Sequence, residues 1–266
     1  MSGAAYVDAL LAVIAAPTAT AKAAALAVVP APPITPWSPP PLPLRPGRPA
    51  HYREAIETGR RRHTLKHGPT RQRFLLAIHH IELTAVDLAA AASLAGPELP
   101  EAFHRDQLAV AGEEAGHALL LEELLVARCF PPGCESVHHR LWDAARACAD
   151  LGEMLVVVPR YLEARGLDVS ADLLPRLAAL DPEAHAVIAH IYADEIGHVA
   201  IGTRWHRAWC AGRGLDPEAH FQAVVRTYFA SQLPGPFPLD RVGRAQAGFS
   251  PTEMAFLSTP RVPGSA

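Results

Sequence analysis

Cysteine is scarce in this chain: four in 266 residues, at positions 129, 134, 148 and 210, with no C-x-x-C pair. That spacing excludes a zinc ribbon and a thioredoxin-type motif, offers no disulfide framework, and points to a reducing compartment. Aromatic residues make up 6% and charged residues 19%, with a formal net charge of -3. A surface given over entirely to nucleic acid is therefore excluded, although one local basic patch is not. No stretch reaches the roughly 18 uninterrupted apolar residues of a membrane helix. The alanine-rich run at 4–29 carries Asp8 and Lys22, is cut by Pro17, and has no basic residue ahead of its apolar part. It reads as one or two short amphipathic helices rather than a signal peptide. We therefore expect a cytoplasmic protein with no membrane partner.

Proline and histidine are abundant, at 26 and 14 residues. Ten of the prolines fall between Pro30 and Pro49, a density that forbids helix and sheet ladders and predicts an extended strap or linker, wrapped on the surface or mobile. From Arg45 to Arg73 nine Lys or Arg stand against Glu54 and Glu57, a local +7 that leaves -10 for the remainder. This basic stretch could hold a polyanion, but with only Tyr52 and Phe74 nearby for base stacking, packing against the acidic body is the favoured reading.

Beyond Pro69 the pattern is helical almost throughout. Breaks at 96–100, 130–133, 165–168, 180–183, 212–218 and 233–238 bound helices near 70–94, 100–128, 138–165 and 182–211, with a shorter one near 171–180. Asp181 and Asp216 each precede a proline, as N-caps do, and Ser250 to Glu253 form a capping box for a last helix. The domain reading is short helices at 1–29, a strap at 30–50, a helical bundle at 51–232, and a helical extension and tail at 233–266.

Two segments read alike: Glu113-Glu114-Ala115-Gly116-His117 and Asp194-Glu195-Ile196-Gly197-His198. Each is an acid followed by E-x-G-H in mid-helix, so that Glu at i and His at i+3 share a face. A carboxylate-bridged two-metal site needs one further Glu from each of two other helices. Glu82 lies 32 residues before Glu114, and Glu163 lies 32 residues before Glu195. Four Glu and two His suit iron or manganese, with acidic bridges offsetting the repulsion of two close ions. We assign Glu82 and His117 to one metal, Glu163 and His198 to the other, and Glu114 and Glu195 as bridges.

Any single E-x-x-H on an alanine-rich helix is more often a solvated face. Here the flanks are apolar (Leu108 to Val110 and Leu119 to Leu121, then Ile188, Ala189 and Val199 to Ile201), and four buried carboxylates are affordable only if neutralised together. Glu113 and Asp194, about 100° round their helices, are candidates to hold the imidazole of the opposite motif. Gly116 and Gly197 suggest a close helix approach, ligand room or ordinary small-residue packing. Pro159, four residues before Glu163, predicts a kink or bulge. His79 and Tyr192, three residues before Glu82 and Glu195, are candidate catalytic groups, with core packing the plainer reading. Arg160 and Arg165 flank Glu163 and could pair with the acids behind the ligands. His138 and His139 read as a helix cap, and Trp205 and Trp209 as packing.

These residues resemble the ferritin-like di-metal carboxylate superfamily. More narrowly, HHIELTAVDLAA, EEAGH, LWDAA, VPRYLEARGLDV, IYADEIGHVAIG and GPFPLDRVGRAQAGFS are similar to an uncharacterised bacterial ferritin-like family, over roughly residues 50–257. The resemblance implies an all-α, antiparallel four-helix bundle with a metal pair at its centre, held by Glu82, Glu114, His117, Glu163, Glu195 and His198. Its neighbourhood includes a tRNA hydroxylase. Glu163 close to the RGLD break departs from expectation: its helix must continue past Gly166 or present the ligand from its last turn.

The leading functional expectation is an oxidoreductase in which two iron ions, or manganese or a mixed pair, activate dioxygen to hydroxylate or oxidise an organic substrate. Small-molecule and RNA-borne substrates both remain open, an electron donor is implied, and a monomer or small homo-oligomer is expected. The alternatives are a ferroxidase or iron-storage protein, and an interaction protein in which metal only staples the helices.

Overall fold

The computed structural model describes residues 3–32, 37–53, 65–134, 136–233, 235 and 237–259. Arg60, Arg61 and Arg62 of the basic stretch, its two acids Glu54 and Glu57, residues 33–36 of the strap and the tail from 260 lie outside the described residues. Among the described residues every regular element is helical and no strand occurs. The chain forms two compact units, Met1–Ala147 and Cys148–Ala266.

The first unit is built on a helical hairpin. Helices α3 (Gly68–Ala95) and α4 (Glu101–Ala127) pack along one another across the turn at 96–100, matching the expected 70–94 and 100–128. Before them, α1 (Gly3–Ala15) packs on α3 and α2 (Ala19–Leu26) on α4; after them, α5 (Arg140–Arg146) packs on α3. By length and composition α3 could cross a membrane, yet 78% of its apolar window is buried within the protein, as for a core helix. Tyr6, Leu10, Val13 and Ile14 of α1 are fully buried.

Charge fixes this arrangement as well as apolar area. Lys22 is fully buried and donates to Val13 O at 3.0 Å, Ile14 O at 3.2 Å and the Asp87 carboxylate of α3. Arg48 donates to the other Asp87 oxygen at 2.9 Å and to Thr84 Oγ1 at 2.9 Å. The described part of the strap is wrapped, not loose. Trp37 Nε1 donates to Leu94 O at 3.1 Å and Pro43 O accepts from Trp142 Nε1 at 3.1 Å. Arg45 pairs with Asp143 at 2.8 Å. Gly47 N donates to Ile14 O at 2.8 Å, an approach only glycine allows, since a Cβ there would stand 2.0 Å from Ala15 O.

The expected 138–165 helix is replaced by two pieces, the first closing the first unit and the second opening the second unit. α5 ends at Arg146, and a new run starts at α6 (Leu151–Leu155), because the Asp150 side chain accepts from Glu153 N and caps a fresh start. The run does not stop at RGLD. It passes through a π-helix, Val156–Glu163, into α7 (Ala164–Leu180), so the expected separate helix at 171–180 is part of one long stretch. Pro159 explains the change of pitch: it has no N–H for the α-helical bond and its ring crowds the preceding turn, which the wider π pitch accommodates.

Helix α8 (Pro182–Ala211) is the axis of this unit and packs on α6, the π-helix, α7, α9 (Pro217–Phe229) and α10 (Arg241–Gln246). Asp181 and Asp216 cap α8 and α9 as expected, accepting from Ala184 N and Ala219 N. The capping box opens α11 (Pro251–Ser258). The C-terminal extension is tied down by partners far apart in sequence. Arg244 grips Asp168 through two bonds of 2.9 and 2.8 Å, and Arg160 donates to Glu253 Oε1 at 2.6 Å.

Candidate metal centre

In the first unit three of the expected ligands meet. Glu82 comes from α3, Glu114 and His117 from α4, and each is at most 3% exposed. His117 Nδ1 lies 3.2 Å from Glu82 Oε2 and 3.4 Å from Glu114 Oε2, and one ligand atom from each residue lies within 4.8 Å of the other two. Ligand bonds of roughly 2.1 Å to a common ion place donor atoms about 3.0–3.4 Å apart, so these edges fit a bound cation.

The electrostatics point the same way. Burial, and then the Glu114 charge, push the Glu82 carboxyl up to about 8. Burial opposes charge on His117, but its hydrogen bonds to Glu114 and Glu82 outweigh it and raise the imidazole to about 11. Both shifts favour protons on Glu82 and His117, in the place where a divalent ion would do the same neutralising work.

Next along the α3–α4 hairpin, His79 is 2% exposed and its Nε2 lies 3.7 Å from Glu122 Oε2. The His79 ring beside it holds the Glu122 carboxyl below its usual range. Glu122 was not anticipated; its signal is the antiparallel ladder, in which 79 and 122 form the rung beside 82 and 117. The flanks of the first motif are less buried than their composition suggests. Val110 and Leu121 are buried, whereas Leu119 and Leu120 are each 37% exposed. Glu113 is exposed, on the side of α4 away from its neighbour Glu114.

In the second unit Glu195 and His198 stand one turn apart on α8, with His198 Nδ1 3.8 Å from Glu195 Oε2 and the imidazole 2% exposed. Glu163 is the last residue of the π-helix, half-buried, on an element that packs against α8. Asp194 faces His190, one turn back, at 3.6 Å. Tyr192 donates to Asp240 Oδ2 at 2.5 Å, so its hydroxyl is engaged by the C-terminal extension. Arg160 and Arg165 bond elsewhere than expected, Arg160 to Glu253 and His206 and Arg165 to Tyr161 and Gln232.

His139 occupies the N-cap position of α5 without a side-chain cap bond. Trp205 and Trp209 are buried packing groups, as read. A Cβ added at Gly116 or Gly197 meets nothing within 4 Å, which removes the close-approach reading for both. On α8 it is Gly202 that a close approach requires, since a Cβ there would stand 2.3 Å from Pro159 Cβ.

A family model described as protein of unknown function (DUF455) matches residues 9–255, which contains all six expected ligands. The chain belongs to this family. Among curated proteins, the chain is similar to an uncharacterized protein of Haemophilus influenzae, 38% identical over 192 residues, covering 69% of this chain and 66% of that relative. No solved structure matches the chain.

Proposed function

We propose that this DUF455 chain is a carboxylate-bridged di-metal protein that activates dioxygen against an organic substrate, with iron preferred over manganese or a mixed pair. The observation that carries this reading is the buried Glu82–Glu114–His117 trio. Two carboxylates buried beside one imidazole are costly unless protons or a cation neutralise them, and their mixed oxygen and nitrogen donors suit iron and manganese. That Glu163, Glu195 and His198 complete the same centre is part of the proposal. It is supported by the repeated 32-residue spacing, as is the ferritin-like four-helix arrangement that would bring the halves together.

In this reading Glu82 and His117 hold one ion, Glu163 and His198 the other, and Glu114 and Glu195 bridge. Iron held there would relay electrons from an external donor to dioxygen. The protein contributes fixed donors in buried surroundings: Leu83, Val86, Ala115 and Ala118, next to the ligands or one turn from them in α3 and α4, are each at most 1% exposed. Inserting one oxygen atom and reducing the other to water takes two electrons beyond those of the substrate bond, so an external donor is a required partner.

Substituting Glu114 and Glu195 by Ala tests the reading. Loss of bound metal and of oxygen consumption with the helical fold intact supports it. Unfolding favours a structural staple, and a cage-sized particle on size-exclusion chromatography favours iron storage.

A further inference from the structure

Away from these carboxylates, the second unit holds a cluster of groups that the proposed function does not use. His206 and Cys210 of α8 are fully buried, and His220 of α9 is half-buried. His206 Nε2 lies 2.9 Å from His220 Nδ1 and 3.5 Å from Cys210 Sγ, and one ligand atom from each of the three lies within 4.8 Å of the others. On spacing alone this is a metal-ligand set.

The hydrogen bonding argues against that use. Arg160 Nη1 lies 2.9 Å from His206 Nδ1, and a guanidinium can only donate. His206 Nδ1 is therefore the acceptor, and in a neutral ring Nε2 carries the hydrogen. That hydrogen points at His220 Nδ1, which must accept in turn. A metal at His206 Nε2 would need the lone pair that the proton occupies, beside a buried guanidinium. Metal-bound histidines ordinarily donate their second nitrogen to an acceptor, and here that nitrogen faces a donor. The thiol is also held protonated, since burial pushes Cys210 up to about 11.

From this donor and acceptor order we infer that Arg160, His206 and His220 form a proton-sensitive clamp joining α9 to α8 and the π-helix, closed when His220 is neutral and opened when His220 is protonated. An imidazolium at 220 would turn its Nδ1 into a donor facing the His206 Nε2 donor, and His206 cannot reverse its ring because Arg160 fixes the other end. Arg160 is itself anchored by Glu253 of α11 at 2.6 Å.

The groups facing His220 set where the clamp opens. Burial, the largest influence, lowers its affinity for a proton; Asp150 and Glu153 at the start of α6 raise it, and Arg160 from the π-helix lowers it. From α8 it meets His206 and, at a ring distance of 5.3 Å, Trp209. The net direction is downward from the ordinary histidine value, so the clamp is closed at neutral pH. The inference is independent of the proposed metal centre.

The test uses the full chain, stripped of metal. Nitrogen-15 spectra of the histidines at pH 7.5 should show His206 and His220 both protonated at Nε2 only. Hydrogen exchange of segment 217–229, corrected for the intrinsic pH dependence, should rise by up to about tenfold per pH unit once pH falls below about 6.5. His220→Phe should abolish that dependence; should it fail to fold, His220→Gln serves, and the wild-type spectra stand by themselves. A His220 ring protonated at Nδ1 at pH 7.5, or exchange in α9 indifferent to pH, would overturn the inference. So would a cobalt(II) thiolate charge-transfer band that disappears in Cys210→Ser, because it would show His206 Nε2 free to bind metal.

Discussion

Gly197 and Gly202 sit five residues apart on α8, and alanine at the two sites should change stability in opposite directions. In a helix interior alanine is favoured over glycine by about 1 kcal/mol through backbone entropy. At Gly197 nothing within 4 Å opposes that gain, so Gly197→Ala should stabilise the metal-free protein by about 0.5–1 kcal/mol. At Gly202 the new methyl would lie 2.3 Å from Pro159 Cβ and 2.4 Å from its Cγ. A proline ring has little freedom to yield, and overpacking of this kind costs about 1–3 kcal/mol. The net effect of Gly202→Ala should be a loss of about 1–2 kcal/mol, together with a displaced π-helix and Glu163. Urea unfolding of both variants reads the difference, expected at roughly 2 kcal/mol between them. If both variants moved in the same direction by similar amounts, the packing of α8 on the π-helix would be wrong.

Two further perturbations test the polar core. Burial, and then the Arg160 charge, hold His206 down to about 2, so its folded pKa lies below its unfolded value near 6.5. The neutral form's stability is complete above pH 6.5 and lost as pH falls below it. Between pH 7 and 5 wild type should therefore lose about 2 kcal/mol more than His206→Gln, measured by denaturant unfolding at each pH. Equal losses would refute the assignment. Lys22→Met removes the partner of one Asp87 oxygen and should cost about 3 kcal/mol, since a half-broken buried ion pair is worse than none. Adding Asp87→Leu should recover part of that loss, and a harmless single substitution would contradict the buried network.

The parts of the fold visible in the sequence were those carried by local pattern. The spans of α3, α4 and α8 follow from alanine and leucine periodicity, and the caps at Asp181, Asp216 and Ser250 from side chains acting within one turn. RGLD misled because Gly166 was read as a stop. In the structure Leu167 and Asp168, directly after Gly166, are buried, and the Asp168–Arg244 bond holds the helix there. The interruption at 147–150 was missed because an alanine-rich flank hides the Asp150 cap.

For the candidate centre, the sequence spacing anticipated Glu82, Glu114 and His117 as neighbours, because the E-x-x-H register and a hairpin are enough to bring them together. What stayed hidden depends on partners remote in the chain. Arg160 was expected to serve the acids near Glu163 and instead serves Glu253, 93 residues away; Tyr192 bonds to Asp240, 48 residues away. Gly202 could not be singled out over Gly197 until the Pro159 ring was placed beside it.

The most direct test of the central claim is metal content. After anaerobic reconstitution with iron(II) and removal of excess, elemental analysis should find about two iron ions per chain, falling sharply in Glu114→Ala while the far-ultraviolet circular dichroism stays helical. No more than a trace of metal in the folded wild-type protein, or undiminished binding in that variant, would contradict the account.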